Sequence, residues 1–369
     1  MNVIRKTFLI TVSVALMVAS ASNILPGVQQ RPKESSVPII KVGKKPRTKQ
    51  SIKLVKELTI GSNEKDAEGF FEELQGILVD EHGNIYALDG RAQIVKVFDK
   101  DGRLFLTIGR SGQGPGEFEG PSGIQLTSKG ELFIRSRGRL SFFSLDGKCL
   151  RQQNVMTWDI DPIPDRQGRF IGLGFSPSEE KGVFNNQLTI FGSDFVPVKV
   201  ITGYKTSMKL DAEMQPVFPK RILYARLSNG TIIWGINQEY VVNIADEEGT
   251  LLRRLERDYD QAVVTDDVKK SALARLNRVA PGGHWEFPKY FYPMYDLHTD
   301  DANHIIVQTY EHYRSPFRKY EIYDVSGKYL VDLILDGNLA YLKNDRIYSI
   351  KESDEGVSKI DRYHVLWNK

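Results

Sequence analysis

Cysteine is nearly absent: Cys149 is the only one in 369 residues. A single thiol excludes a disulfide framework, a cysteine-based zinc site and an iron–sulfur cluster. With no partner in the chain, Cys149 is expected to be buried. Long apolar runs are also missing, since nothing beyond the N-terminus approaches the ~18 residues of a membrane helix. Neither charge dominates: 50 Lys/Arg face 47 Asp/Glu, which excludes the basic surface of a nucleic-acid binder. No His-Glu-x-x-His, Gly-x-Ser-x-Gly or EF-hand loop occurs, so the common zinc-protease, serine-hydrolase and calcium-loop chemistries have no motif to stand on. What is left, 41% hydrophobic and 26% charged residues, is ordinary globular composition.

The basic charge is unevenly placed. Between Arg31 and Lys56 stand nine Lys/Arg and one acid, Glu34, so the body that follows is acidic. Ahead of that stretch, Arg5 and Lys6 precede the uncharged, mostly apolar run Thr7–Ala19, and Ala19-Ser20-Ala21 follows. This is the pattern of a secretory signal with a small-residue cleavage site. Residues 1–21 are therefore expected to be an export signal, and the mature protein periplasmic or secreted. Residues 22–50, with Pro26, Pro32, Pro38 and Pro46 among Gly, Ser, Gln and Lys, are expected to form a flexible basic linker. Membrane contact is expected only through that linker or an uncleaved signal.

From residue 51 onward the informative signal is repetition. A turn followed by a β-rich run recurs at Gly83-Asn84-Ile85-Tyr86, Gly130-Glu131-Leu132-Phe133, Gly168-Arg169-Phe170-Ile171 and Gly230-Thr231-Ile232-Ile233, and more weakly at Asn303 and Asn344. After most copies a second strand ends in a polar turn, as in Phe98-Asp99-Lys100-Asp101-Gly102 and Phe143-Ser144-Leu145-Asp146-Gly147. Such turns join antiparallel neighbours. Four strands in about 45 residues is the size of a propeller blade. The sixth unit runs out of chain after three strands, and Ile52–Ile60 has no unit of its own. The expected fold is all-β: a six-bladed β-propeller over 51–369, closed by the N-terminal strand, so that no sheet edge is left open. One helical insertion, at about 260–290, is expected between blades 4 and 5. Thr265-Asp266-Asp267 starts it, Val268, Ala272, Leu276 and Ala280 form its apolar stripe, and Pro281-Gly282-Gly283 stops it.

The stretch from Phe98-Asp99 through Gly109-Arg110-Ser111-Gly112-Gln113-Gly114-Pro115-Gly116-Glu117-Phe118 to Pro121-Ser122-Gly123-Ile124 resembles the NHL-type repeat. It is also similar to a bacterial family described only as six-bladed β-propeller proteins. The resemblance implies the fold; propellers of this shape host binding modules and enzymes alike. The glycines carry neither Gly-Lys-Ser/Thr nor a dinucleotide spacing and are read as a tight inter-blade crossing.

Two readings of function follow. Arg91, Arg135, Arg137 and Arg139 are placed in turns between second and third strands, on one face of the propeller, where a planar guanidinium suits carboxylate or sulfate oxygens. Arg221, Tyr292 and His312 adjoin the same side, and Trp285–Tyr295 is dense in aromatics that either pack under the helix or form a stacking floor. This favours a non-catalytic binding or scaffolding module, without a cofactor, presenting a loop-built face to an extracytoplasmic protein, a peptide or an anionic glycan. The alternative is a calcium-dependent lactonase or lyase in the central channel. Glu73, Glu119, Asp159 and Asn338, near the starts of inner strands, supply the oxygen ligands calcium takes. The neighbouring Arg135, Arg137, Lys220 and Arg221 oppose a cation there.

Overall fold

A short polar side chain opens nearly every hairpin, and a residue of positive φ closes it. In Asp80-Glu81-His82-Gly83, Asp80 Oδ1 accepts from the amides of His82 and Asn84, both at 2.8 Å. Asp99, Asp165, Asp246 and Asp324 repeat the arrangement. The carboxylate satisfies amides that the reversing chain cannot pair with itself. Turns this tight leave consecutive strands no choice but to pair antiparallel with their neighbours.

The computed structural model describes residues 37–46, 50–61, 69–155, 161–207, 214–310, 315–352 and 357–368. Blade 1 comprises Leu74–Val79, Ile85–Asp89, Ile94–Phe98 and Leu104–Ile108; blade 2 comprises Gly123–Leu126, Leu132–Ser136, Arg139–Phe143 and Cys149–Asn154. Blade 3 comprises Ile163–Pro164, Phe170–Pro177, Val183–Phe191 and Pro197–Ser207. Blade 4 is built from Ile222–Arg226, Ile232–Ile236, Val241–Ala245 and Leu251–Arg257, and blade 5 from Met294–Thr299, Ile305–Thr309, Phe317–Tyr323 and Tyr329–Asp336. Blade 6 contains Asn338–Lys343, Arg346–Glu352 and Ser358–Asn368, and its outer strand is Ser51–Ile60, as the strand balance of the sequence requires.

Each sheet is apolar on both faces, which is why its second strand reads as an unbroken buried run. In Ile85–Asp89, Ile85 and Ala87 pack toward blade 6, while Tyr86 and Leu88 pack toward blade 2. Six such inter-blade cores close the circle. The pairs 1–2, 2–3, 3–4, 4–5, 5–6 and 6–1 each bury their own cluster. Gly109 and Gly61 end the outer strands of blades 1 and 6 in equivalent ways. At Gly109, with φ of 80°, a Cβ would lie 2.1 Å from the Phe118 ring; at Gly61, with φ of 84°, it would meet the carbonyl oxygens of Gly69 and Ser358 at 2.9 Å.

The closing strand is held by a buried charge cluster. Asp361 is fully buried and receives Lys56 Nζ at 2.6 Å and Thr59 Oγ1 at 2.6 Å from Ser51–Ile60, and Lys351 Nζ at 2.8 Å from Arg346–Glu352. Burial alone would raise the Asp361 pKa; the hydrogen bonds from Lys351, Lys56 and Thr59 outweigh it and bring it down to about 2.

Three sequence expectations are corrected. The basic linker of 22–50 is not flexible throughout: Ile39–Val42 forms a fifth, parallel strand on the outer edge of blade 4, in register with Arg254–Arg257. The reason is burial. Val42 enters the core between blades 4 and 5, Ile40 packs against it, and Lys41 and Lys44 pair with Glu256 and Asp260. Arg257, itself buried, donates to the Lys44 carbonyl at 3.0 Å and pairs with buried Glu321 at 2.6 Å. Secondly, the hairpin of blade 3 runs further than the sequence suggested. The irregular segments Ser176–Glu180 and Lys205–Pro219 read as loops from the sequence; Ser176-Pro177 and Lys205–Ser207 within them are strand, and the Phe175 and Phe184 rings stack at 4.7 Å across the hairpin. Thirdly, Cys149 is half-buried beside the core of blades 1 and 2, not sealed within it. The signal expected at 1–21 lies outside the described residues.

Two outcomes follow. Asp361→Asn should destabilise by about 2–3 kcal/mol, because it removes the buried carboxylate that Lys56, Thr59 and Lys351 share, while Lys351 keeps Asp336 as a partner. Since the Asp361 pKa is lowered in the folded state, its contribution is present above about pH 4 and is lost as pH falls toward 2. Acid titrations of unfolding should therefore differ between the two proteins above that window and converge below it. Deleting Val37–Pro46 while keeping Ser51–Ile60 should cost about 3 kcal/mol from Ile40 and Val42 burial. At ~2–4 °C per kcal/mol that is a fall in Tm of roughly 6–12 °C, read by calorimetry. An unchanged Tm would mean the strap contributes nothing.

Candidate functional site

The two ends of the ring differ. At one end lie the turns joining first to second and third to fourth strands, and these contact one another around the circle. Arg169 pairs with Glu248 at 2.8 Å, linking blades 3 and 4, and Ser228 Oγ donates to Asn303 Oδ1 at 2.7 Å, linking 4 and 5. The Asn344 amide reaches Asp301 at 2.9 Å, linking 6 and 5, and Lys343 pairs with Glu81 at 2.7 Å, linking 6 and 1. The opposite end carries every connection between blades and the turns between second and third strands. It is this end that gathers the irregular sequence.

The largest feature of the loop face stands over blades 4 and 5. The helix Asp266–Val279 starts after Thr265, with Asp266 and Asp267 in its first turn and Arg278 in its last, matching the helix dipole. Val268, Ala272 and Leu276 are buried as the stripe predicts. Val264 and Val268 pack on Phe218 and Tyr310 with Phe287, Phe291, Tyr292 and Tyr295 alongside. Of the two roles left open for the aromatics, packing under the helix is the one observed. Gln215–Pro216 pairs in parallel with Trp285–Glu286, tying the entry to blade 4 to this cap.

The sequence candidates divide by what they touch. Arg91 and Arg137 are exposed on the loop face, and their side chains form no hydrogen bond or ion pair among the described residues. Arg135 is not in a turn: it lies on Leu132–Ser136 and sits 3.5 Å from Asp161 Oδ1. Arg139 is structural, donating to the carbonyls of Gln113 at 2.5 Å and Glu117 at 3.0 Å and so clamping the glycine-rich crossing. Arg221 donates to the Tyr295 carbonyl at 3.0 Å and lies over that ring, joining blades 4 and 5. Tyr292 Oη accepts from Gln238 at 3.1 Å at the edge of the cap. His312 lies outside the described residues.

The oxygen ligands proposed for calcium are engaged elsewhere. Glu73 accepts from Gln75 at 2.9 Å, Glu119 from Gln113 at 3.0 Å, and Asn338 from Arg318 at 3.2 Å. Asp159 lies outside the described residues. Among the described residues no three His, Cys, Asp or Glu side chains come together as a metal site.

Two residues that organise this face were not singled out from the sequence. Asp89, buried at the end of its strand, accepts the amides of Glu72, Glu73 and Ala92 at 2.8–3.1 Å. Asn237, at the corresponding place in blade 4, accepts from the Arg221 amide at 2.9 Å and donates to the Pro219 carbonyl at 3.0 Å. Both fix the approach of the chain to an inner strand. A polar residue closing an apolar second strand was the available signal.

Residues 68–211 match the model of a family described as 6-bladed beta-propeller. No curated protein sequence matches the chain. Among crystal structures, a Bacteroides fragilis protein described provisionally as exported aligns over 89% of this chain and 99% of its own, with a TM-score of 0.54 and 12% identity. A Bacteroides vulgatus protein from a family without assigned function aligns over 86% and 99%, with a TM-score of 0.52 and 12% identity. A virginiamycin B lyase of Staphylococcus aureus is more distant, at 9% identity and a TM-score of 0.39 over 86% of this chain and all of that one. No helix among the described residues is long and apolar enough to cross a membrane. Six inter-blade cores among the described residues, the strand order, the family match over 68–211 and the two Bacteroides structures agree: the chain folds as a six-bladed β-propeller.

Proposed function

We propose that this protein is an exported, non-catalytic propeller that binds a protein, a peptide or an anionic glycan through its loop face. One observation carries the reading. The turn face is tied up in contacts between neighbouring blades, whereas the loop face holds the helix, the aromatic cap and the exposed Arg91 and Arg137. Exposed guanidinium groups on loops positioned by a rigid ring are what recognition of acidic groups uses. The resemblance of residues 98–124 to the NHL-type repeat belongs with this reading, as does residence in the periplasm or outside the cell. That localisation is supported by the signal pattern of residues 1–21 and by the description of the Bacteroides fragilis neighbour.

The test places a photo-reactive amino acid at Arg91 or Arg137 on one face, or at Lys100 or Lys148 on the other, in the exported protein. Discrete cross-linked adducts are expected from the first pair and not from the second. For a glycan ligand, Arg91→Glu combined with Arg137→Glu should weaken retention on an anionic glycan column at least tenfold, with Tm unchanged. Adducts only from Lys100 or Lys148 would assign the wrong face.

A further inference from the structure

Blade 4 is widened by the added strand Ile39–Val42, and the widening makes a notch at its loop-face end. The register places it. Val241, Glu256 and Lys41 lie side by side across three strands. Just beyond them the sheet stops. Val241–Ala245 is entered from the turn that holds Glu239 and Tyr240, Leu251–Arg257 passes into Asp258 and Tyr259, and the added strand ends at Val42. Between these ends is a cavity of about 250 Å³ that opens to solvent and is lined from all three strands. Sites for drug-sized ligands run from ~300 to 1,000 Å³, so this one has room for a single extended side chain.

One wall is fixed from behind. The Arg257 guanidinium lies 5.1 Å from the centre of the Tyr240 ring and is held by Glu321 at 2.6 Å, the Asp258 carbonyl at 2.6 Å and the Lys44 carbonyl at 3.0 Å. Tyr240 Oη donates to the same Glu321 carboxylate. Tyr259, half-buried, sets its ring 6.0 Å from that of Tyr240. The charges are uneven. Three acids and two bases line the notch, and both bases are taken, Arg257 by Glu321 and Lys41 by Glu256. Glu239 and Asp258 are exposed, and among the described residues their side chains form no ion pair or hydrogen bond. They come from different elements, the turn before one strand and the segment after the next.

We propose that this notch binds a primary ammonium carried on an aliphatic stem, the chemistry of a lysine side chain of a peptide or protein. An ammonium has three donors that serve carboxylates of different orientation, whereas a guanidinium fork is matched to one carboxylate taken bidentately. The Tyr259 ring attracts the cation and packs on its methylenes. An anion would meet three carboxylates with both bases already neutralised. A metal ion is not matched either, because among the described residues no three acidic or histidine groups converge as its ligands. The ligand is opposite in sign to the one expected at Arg91 and Arg137 on blades 1 and 2. The notch therefore goes beyond the proposal made for those arginines and does not rest on it.

The amide ¹H–¹⁵N signals of Glu239, Tyr240 and Asp258 report on the site directly. Nα-acetyl-lysine amide carries one ammonium, and Nα-acetyl-norleucine amide offers a similar stem without the charge. At neutral pH and constant ionic strength, the lysine compound should move these signals along a saturating curve, while the norleucine compound should not. Glu239→Gln combined with Asp258→Asn should weaken the response at least tenfold with Tm unchanged, since both side chains are exposed. Signals indifferent to the lysine compound in the unaltered protein would overturn the site. An equal response to the norleucine compound would overturn the role of charge, and one that survives the double variant would overturn the role of the two carboxylates. Glucosamine is the remaining arm: tighter binding of it than of the lysine compound would overturn the aliphatic stem and assign the ammonium to an amino sugar.

Discussion

A β-sheet that is apolar on both faces must have a neighbour on each side. That constraint governs this molecule. Six such sheets in an open stack would leave two apolar faces in water, at about 25 cal/mol for every Å² exposed. Ring closure removes both, and it is accomplished where the chain ends meet, in a sheet made from Ser51–Ile60 and the last three strands. The cluster of Asp361 with Lys56, Lys351 and Thr59 sits at that seam. A buried carboxylate with two ammonium partners adds specificity to the closure, because a one-residue slip would turn those groups to the opposite face. The parallel strand Ile39–Val42 extends the same logic to blade 4, while Ser51–Ile60 serves the seam on blade 6.

Closure also separates the tasks of the two faces. The hairpin turns of one face are short, capped by their own aspartates, and linked to their neighbours by Arg169–Glu248, Ser228–Asn303, Asn344–Asp301 and Lys343–Glu81. On the other face the links run through Arg139 and Arg221 to backbone carbonyls, and length and aromatic content have accumulated around them. Asp89 and Asn237 hold the chain's entry into inner strands at two blades, so the variable loops rest on fixed footings. A rigid ring carrying adaptable loops separates stability from recognition.

The repeat made most of the fold legible. Turn residues followed by β-branched or aromatic runs gave the strand order of all six blades, and the surplus strand at Ile52–Ile60 pointed to the closure. The helix was equally readable, because Thr265, the four-residue stripe and Pro281 agree on its limits. What the sequence hid were tertiary effects. Nothing local in Ile39–Val42 distinguishes a strand from a proline-rich linker; its partner edge, over two hundred residues away, supplies the reason for its order. The extra length of blade 3 likewise comes from cross-strand pairing, such as Phe175 on Phe184. For the candidate site, the arginines were visible as residue types but not by role. Arg139 and Arg221 serve backbone carbonyls, a role that only the folded neighbours reveal.

Hydrogen exchange read by mass spectrometry tests the closure most directly. If the seam holds the ring, peptides from Ser51–Ile60 and Ser358–Asn368 should exchange together, at the slow rate set by global unfolding. Exchange in Ser51–Ile60 faster by orders of magnitude than in the inner strands of blades 1 to 5 would contradict it, showing a ring that stands without its N-terminal strand.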